Sequence, residues 1–130
     1  MTSQVEFFYY TNCTACKKAD AFLRAAGISA VRREIFKHKL NVAELNALFT
    51  RANIGVRDAL STRSRPYQDL KLADRDLSDD QIVELMAEHP ALLRRPLLLS
   101  TAGTLIGFNQ EAYEALPAAL ALAHTEKDAQ

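Results

Sequence analysis

The chain lacks an excess of charge of either sign. Its 16 Lys and Arg residues are matched by 16 Asp and Glu, so no global field draws it to nucleic acid or to an anionic membrane. No apolar run approaches the ~20 residues that a membrane-spanning helix needs. The first residues, Met1 to Glu6, contain no basic segment followed by an apolar one, so a signal peptide is not expected. Cysteine is scarce: Cys13 and Cys16 are the only two. A zinc site could use their C-x-x-C spacing as one half, but no second cysteine pair exists. His38, His89 and His124 show no H-x3–5-H spacing to complete it. No metal is therefore expected. The expected setting is a reducing cytoplasm, where a close cysteine pair is more often catalytic or sensory than structural. Neither nucleic acid nor membrane is expected as a direct partner.

What is present is concentrated in one stretch, Phe7-Phe8-Tyr9-Tyr10-Thr11-Asn12-Cys13-Thr14-Ala15-Cys16-Lys17-Lys18. It reads as a buried strand, a short turn and a cysteine pair that opens a helix. A thiol at a helix start faces unpaired backbone N–H groups and the positive end of the helix dipole. Both favour thiolate over thiol, which makes Cys13 the expected nucleophile. Cys16 lies one turn along the same helix, placed to attack Cys13 once Cys13 is oxidised or covalently loaded. Surface lysine is the simpler role for Lys17 and Lys18.

The 130 residues allow one domain with one core. Val5 to Tyr10 is nearly all apolar or aromatic, as in a strand buried on both faces. Thr14 to Ala26 is predicted helical, with Ala19, Phe22, Leu23 and Ala26 on one stripe, ended by Gly27. Ala30 to Phe36 reads as a second strand, completing a βαβ unit with a parallel pair. Asn41-Val42-Ala43-Glu44 has the form of a capping box, followed by a stripe of Val42, Leu45, Leu48 and Phe49. Asn53 to Gly55 should break that helix. Short helices are predicted at Arg57–Leu60 and Pro66–Leu70. Ser78-Asp79-Asp80-Gln81 is a second capping box, opening a helix that His89-Pro90 stops. Ala91 to Leu99 reads as a return to sheet, with a buried strand at Leu97 to Leu99. A turn at Ala102-Gly103 leads to a partner strand at Thr104 to Ile106. Asn109 is predicted to cap a last helix running to about Leu116, interrupted by Pro117, with the Ala118 to Gln130 tail extending it. The expected architecture is α/β, a four-stranded mixed sheet with an all-helical insertion. Within one 1–130 domain, 1–40 and 90–117 would carry the sheet and 41–89 the helices.

Several separated motifs now point the same way. Tyr10-Thr11-Asn12-Cys13 with Lys18-Ala19, Pro66-Tyr67, Glu88-His89-Pro90, Arg95-Pro96 and Ile106-Gly107-Phe108-Asn109 occur in that order. Over about residues 4–117 the chain resembles the arsenate reductase/Spx family, whose fold is thioredoxin-like with a helical insertion. Cys13-Thr14-Ala15-Cys16, Ser61-Thr62-Arg63-Ser64 and Leu92-Leu93-Arg94-Arg95-Pro96 look more like Spx. Ile54-Gly55-Val56-Arg57 and the segment from Leu72 to Asp80 look more like the reductases.

The reductase branch is the expected function, with the Spx branch as the alternative: it implies a thiol-dependent arsenate reductase acting in arsenic detoxification in the cytoplasm. Cys13 would attack arsenate, held by the backbone N–H groups at Thr14 and Ala15 and by Arg95, and Cys16 would resolve the adduct as arsenite leaves. Thioredoxin or glutaredoxin with glutathione would restore the dithiol, with no bound cofactor. The resemblance also implies a cis bond between Arg95 and Pro96, laid against the cysteine. Of three anion-binding arginines in the glutathione-coupled enzymes, only Arg95 matches by position. Ser61 and Phe108 fall at the other two, and Arg57, Arg63 or Arg65 are the candidates to substitute, Arg63 foremost. The Spx branch instead implies a redox-sensing regulator that binds the C-terminal domain of the RNA polymerase α subunit, with the cysteine pair as its switch. There Gly55 matches a contact glycine that lets the partner approach. Against that branch, the tail after Pro117 is Ala-rich and nearly neutral, where Spx carries a basic extension.

Overall fold

The aromatic run after Val5 forms strand β1, Glu6–Tyr9, with Phe7 and Phe8 both buried. The computed structural model describes residues 5–129, with side chains described through Ala123. Met1–Gln4, Gln130 and the side chain of His124, which the sequence expectations touch, lie outside the described residues. Helix α1 spans Thr14–Ala25 and strand β2 spans Val31–Glu34. Helix α2 (Val42–Ala52), helix α3 (Arg65–Asp69) and helix α4 (Asp79–Glu88) follow. Strands β3 (Leu97–Ser100) and β4 (Gly103–Ile106) come next, then helix α5 (Gln110–Ala129). The sheet order is β2-β1-β3-β4. β1 runs parallel to β2 and antiparallel to β3, and β3 antiparallel to β4. This is the expected four-stranded mixed sheet of the thioredoxin-like fold.

The chain divides into two compact units, Met1–Glu34 with Arg95–Gln130, and Ile35–Arg94. In the first, Phe7 pairs in register with Leu98, and Leu98 with Leu105, so the three line one sheet face. Ala19 and Leu23 of α1 and Tyr113 and Leu116 of α5 pack there in one buried cluster with Val5, Phe7 and Leu98. Each large apolar side chain so buried contributes about 1.5–3 kcal/mol. Gly27 ends α1 at φ 71°, the left-handed conformation glycine adopts without a Cβ clash.

In the second unit α2 packs against α4. Both helices open with complete capping boxes. Asn41 Oδ1 accepts from the Glu44 N–H at 2.8 Å, and Ser78 Oγ from the Gln81 N–H at 3.2 Å. Leu45, Leu48 and Phe49 of α2 and Ile82, Val83 and Met86 of α4 are buried. Asn53 closes α2 in the left-handed region at φ 55°.

Several expectations are corrected. β2 stops at Glu34 rather than Phe36, because Glu34 pairs with Tyr9, the last residue of β1. Beyond it the ladder has no partner. Val42 is 39% exposed and does not join the α2 stripe. Ala91 to Leu93 is not strand: Pro90–Leu92 forms a 3-10 turn, and Leu93 makes only an isolated bridge with Leu60. The last helix runs through Pro117 to Ala129. A helical proline costs about 3 kcal/mol, but Leu116 before it and Leu120 after it pack on the same cluster, which offsets that cost. The short helices are also shifted slightly, to a 3-10 turn at Val56–Ala59 and to α3 at Arg65–Asp69.

Candidate functional site

Cys13 is the N-cap of α1, in extended conformation at φ −101° and ψ 119°. Its backbone N–H donates to the Tyr10 carbonyl at 3.2 Å, closing the turn out of β1. Its carbonyl accepts from the Lys17 N–H at 3.0 Å, the first bond of the helix. Its sulfur takes the place of the usual capping oxygen and accepts the Cys16 N–H at 3.3 Å. The N–H groups of Thr14 and Ala15 belong to the first helical turn and have no intrahelical acceptor.

Cys16 faces inward. It is 1% exposed, whereas Cys13 is half-buried, and both are free thiols. Cys16 begins the inward stripe of α1 that continues at Ala19 and Leu23. Burial pushes its thiol up to about 12. Its hydrogen bond to Cys13 and the charge of Cys13 act in the same direction, while the Tyr10 backbone and Arg95 oppose them. Cys16 therefore keeps its proton at neutral pH.

Arg95 is joined to Pro96 by a cis peptide bond directly ahead of β3. Its Cζ lies 5.9 Å from the Tyr10 ring centroid, a cation–π contact. Its charge opposes the rise of the Cys16 thiol. Tyr10 also accepts from Asn12 Nδ2 at 3.3 Å, and Thr11 Oγ1 donates to the buried Glu34 at 3.2 Å. The cysteine loop is therefore tied to the end of β2. The Arg95–Tyr10 stacking and the Thr11–Glu34 bond had no signal in the linear sequence, because each joins residues far apart along the chain.

The other candidate residues lie in the second unit. Arg63 is exposed, in the loop ahead of α3. Arg57 is committed elsewhere: its Nη2 donates to the Leu77 carbonyl at 2.6 Å, and its Nε lies 3.3 Å from Asp79 Oδ1. Gly55 precedes the Val56–Ala59 turn and donates its N–H to Asp58 Oδ2 at 3.0 Å. It opens on a groove of ≈ 670 Å³ between the end of α2 and Asp80 at the start of α4, lined also by Phe49, Thr50, Asn53 and Ile54. Phe108, at one of the two unmatched arginine positions, packs on Tyr113 with ring centroids 5.0 Å apart. Among the described residues no group of three or more His, Cys, Asp or Glu side chains converges, and no helix is long and apolar enough to cross a membrane.

A dithiol at the start of the first helix, with an arginine before a cis-proline, sits on a thioredoxin-like sheet. The ArsC family model matches residues 8–116, and the chain belongs to the ArsC family. Two regulators are among its relatives. The regulatory protein MgsR of Bacillus subtilis (strain 168) is 32% identical over 109 residues, 84% of this chain and 86% of that protein. The global transcriptional regulator Spx of Enterococcus faecalis is 36% identical over 100 residues, 77% of this chain and 76% of that one. Among solved structures, arsenate reductase from Vibrio cholerae superposes with a TM-score of 0.71 at 27% identity, covering 80% of this chain and 89% of its own.

Proposed function

We propose that this chain is a thiol–disulfide redox protein. Cys13 is the nucleophile, Cys16 resolves it, and the pair serves as the switch of a redox-responsive regulator of the Spx kind. The observation that carries the redox chemistry is the cysteine pair itself. A half-exposed sulfur receives the Cys16 backbone N–H at 3.3 Å, and the buried thiol of the same residue stands one turn along the helix. Oxidation of Cys13 by a disulfide or a peroxide leaves it electrophilic. The Cys16 thiolate then attacks the Cys13 sulfur, expels the bound group and forms the intramolecular disulfide. Two electrons leave the two thiols, and their protons go to solvent. Thioredoxin, or glutaredoxin with glutathione, would return the pair to thiols.

Three observations favour regulation over arsenate turnover. Relatives at 32% and 36% identity are named as regulators. Ser61 and Phe108 stand where the resemblance sets anion-binding arginines, and Phe108 is packed on Tyr113. Gly55 stands at the position of the Spx contact glycine, although the Ile54–Arg57 segment around it looks more like the reductases, and it opens on a groove of ≈ 670 Å³ that a partner could enter. The partner would be the C-terminal domain of the RNA polymerase α subunit. The test is binding of that domain to the reduced and oxidised protein, with Gly55→Arg as the control. Absence of binding in both states would remove the regulatory role.

Arsenate reduction is the second reading, favoured by the free N–H groups of Thr14 and Ala15 beside Cys13 and by the charge of Arg95. In it the Cys13 thiolate displaces hydroxide from arsenate. Cys16 then attacks the Cys13 sulfur, and arsenite leaves with two electrons. Arsenate-dependent NADPH oxidation through thioredoxin and its reductase, abolished in Cys13→Ser, would establish it.

A further inference from the structure

Glu34 is the one charged side chain that is buried among the described residues, at 8% exposure. Burying a carboxyl group is costly unless it is hydrogen-bonded. The backbone pairing of Glu34 with Tyr9, the last rung of the β1–β2 ladder, would form as well around an apolar side chain. What the acid adds is an acceptor. Its Oε2 accepts from Thr11 Oγ1 at 3.2 Å, across 23 residues of chain. Thr11 is exposed and lies in the turn between β1 and α1, so the bond anchors that turn to the neighbouring strand.

The turn is what places the sulfur. The Tyr10 carbonyl accepts from the Cys13 N–H at 3.2 Å, so Thr11 and Asn12 are its two central residues. Asn12 Nδ2 donates to the Tyr10 hydroxyl at 3.3 Å, and Arg95 stacks on the Tyr10 ring. The Thr11–Glu34 bond fastens the same turn to β2. Cys13 closes the turn and stays extended, at φ −101° and ψ 119°, with its sulfur on the Cys16 N–H at 3.3 Å. Thr11, Glu34 and Cys13 all belong to the first compact unit. We propose that Glu34 is a positioning residue for the nucleophile: through Thr11 it fixes the turn so that the Cys13 sulfur stays on the Cys16 N–H. The inference rests on the reading that Cys13 is the nucleophile. An N–H donated to sulfur favours the thiolate, the form that attacks, and a turn that drifts loses that donor.

The aromatic disulfide dithionitrobenzoate reads the nucleophile directly. The Cys13 thiolate attacks one of its sulfurs, a mixed disulfide forms, and one coloured thiolate leaves, seen as the first phase in stopped-flow absorbance. Thr11→Val keeps the shape of the side chain and removes the donor. It is expected to slow the first phase about fivefold, the worth of one ordinary hydrogen bond, and to shift the Cys16 amide proton in the NMR spectrum. Thr11→Ser, which keeps the hydroxyl, should restore both. Thr11→Val added to Glu34→Leu should slow the phase no further than Glu34→Leu alone, since the two act through one bond. Lower stability by itself would leave the rate alone, because a variant weakened by one hydrogen bond is still almost wholly folded. A first phase in Thr11→Val at the wild-type rate, or slowed while the Cys16 amide stays unmoved, would overturn the inference and leave the dithiol reading intact. So would slowing that Thr11→Ser does not repair, or full additivity in the double variant. If Cys13→Ser releases the coloured thiolate as fast as wild type, the nucleophile reading fails and the inference falls with it.

Discussion

Removing Cys13 should loosen the hold of Cys16 on its proton. In the folded protein the Cys16 thiol is pushed from 9.0 up to about 12, by burial first and then by its hydrogen bond to Cys13 and the charge there. A thiol titrating at about 12 rather than about 9 has a thiolate population about a thousandfold smaller at pH 7, at tenfold for each pH unit. Cys13→Ala deletes the second and third causes and keeps the first. It also keeps the opposing effects of Arg95 and the Tyr10 backbone. The midpoint should therefore fall below about 12, because two of the three causes that raise it are gone. The variant has a single thiol, so the ¹³Cβ shift of labelled cysteine followed against pH reports Cys16 alone. A midpoint that remains near 12 would show that burial alone holds the proton, and the coupling argued for the pair would be wrong. The sign for stability follows the same logic. A group that binds its proton more tightly when folded adds stability that is fully present below pH 9. That contribution is lost as pH rises from 9 towards 12, so wild type should lose more stability than Cys13→Ala across that window.

Other expectations follow from packing and pairing. Cys16→Ser should accumulate a stable mixed disulfide on Cys13, seen by mass spectrometry, because the resolving sulfur is gone. Leu23→Ala, at a wholly buried position of α1, should cost about 2–5 kcal/mol in urea denaturation; a loss below about 1 kcal/mol would contradict the packing described. Asp20 accepts from Arg24 at 2.9 Å and from Arg32 at 2.7 Å. Burial raises its carboxyl, but the two arginines outweigh it and hold the group below its ordinary range. Asp20→Asn should therefore cost about 0.5 kcal/mol at neutral pH, a modest figure because solvent and salt screen the pair. The difference should vanish as pH falls through the carboxylate range, and a pH-independent difference would argue against the pairing. Asn41→Ala removes the cap of α2 and should cost about 1 kcal/mol, read as a lower melting temperature.

Much of the fold was legible because its signals are local. The Asn41–Glu44 and Ser78–Gln81 capping boxes each act across three residues, and both formed as expected. The strand, turn and cysteine-capped helix at Glu6–Ala25 are likewise short-range. What was misread depended on distant partners. Val31 and Ile35, apolar among charges, read as one strand to Phe36, yet the strand ends where β1 ends. Pro117 is a helix breaker by itself, but Leu116 and Leu120 pack on one cluster on either side of it.

The site divides along the same line. The amino-acid order alone determined that two cysteines would share the first turn of a helix after a buried strand, since chain connectivity and capping chemistry suffice for that. Folding decided what surrounds them: Arg95 stacked on Tyr10 and Thr11 bonded to Glu34. Those neighbours come from β2 and from the loop before β3. Sheet pairing and apolar burial bring them to the cysteines, and neither leaves a mark at any one position of the chain.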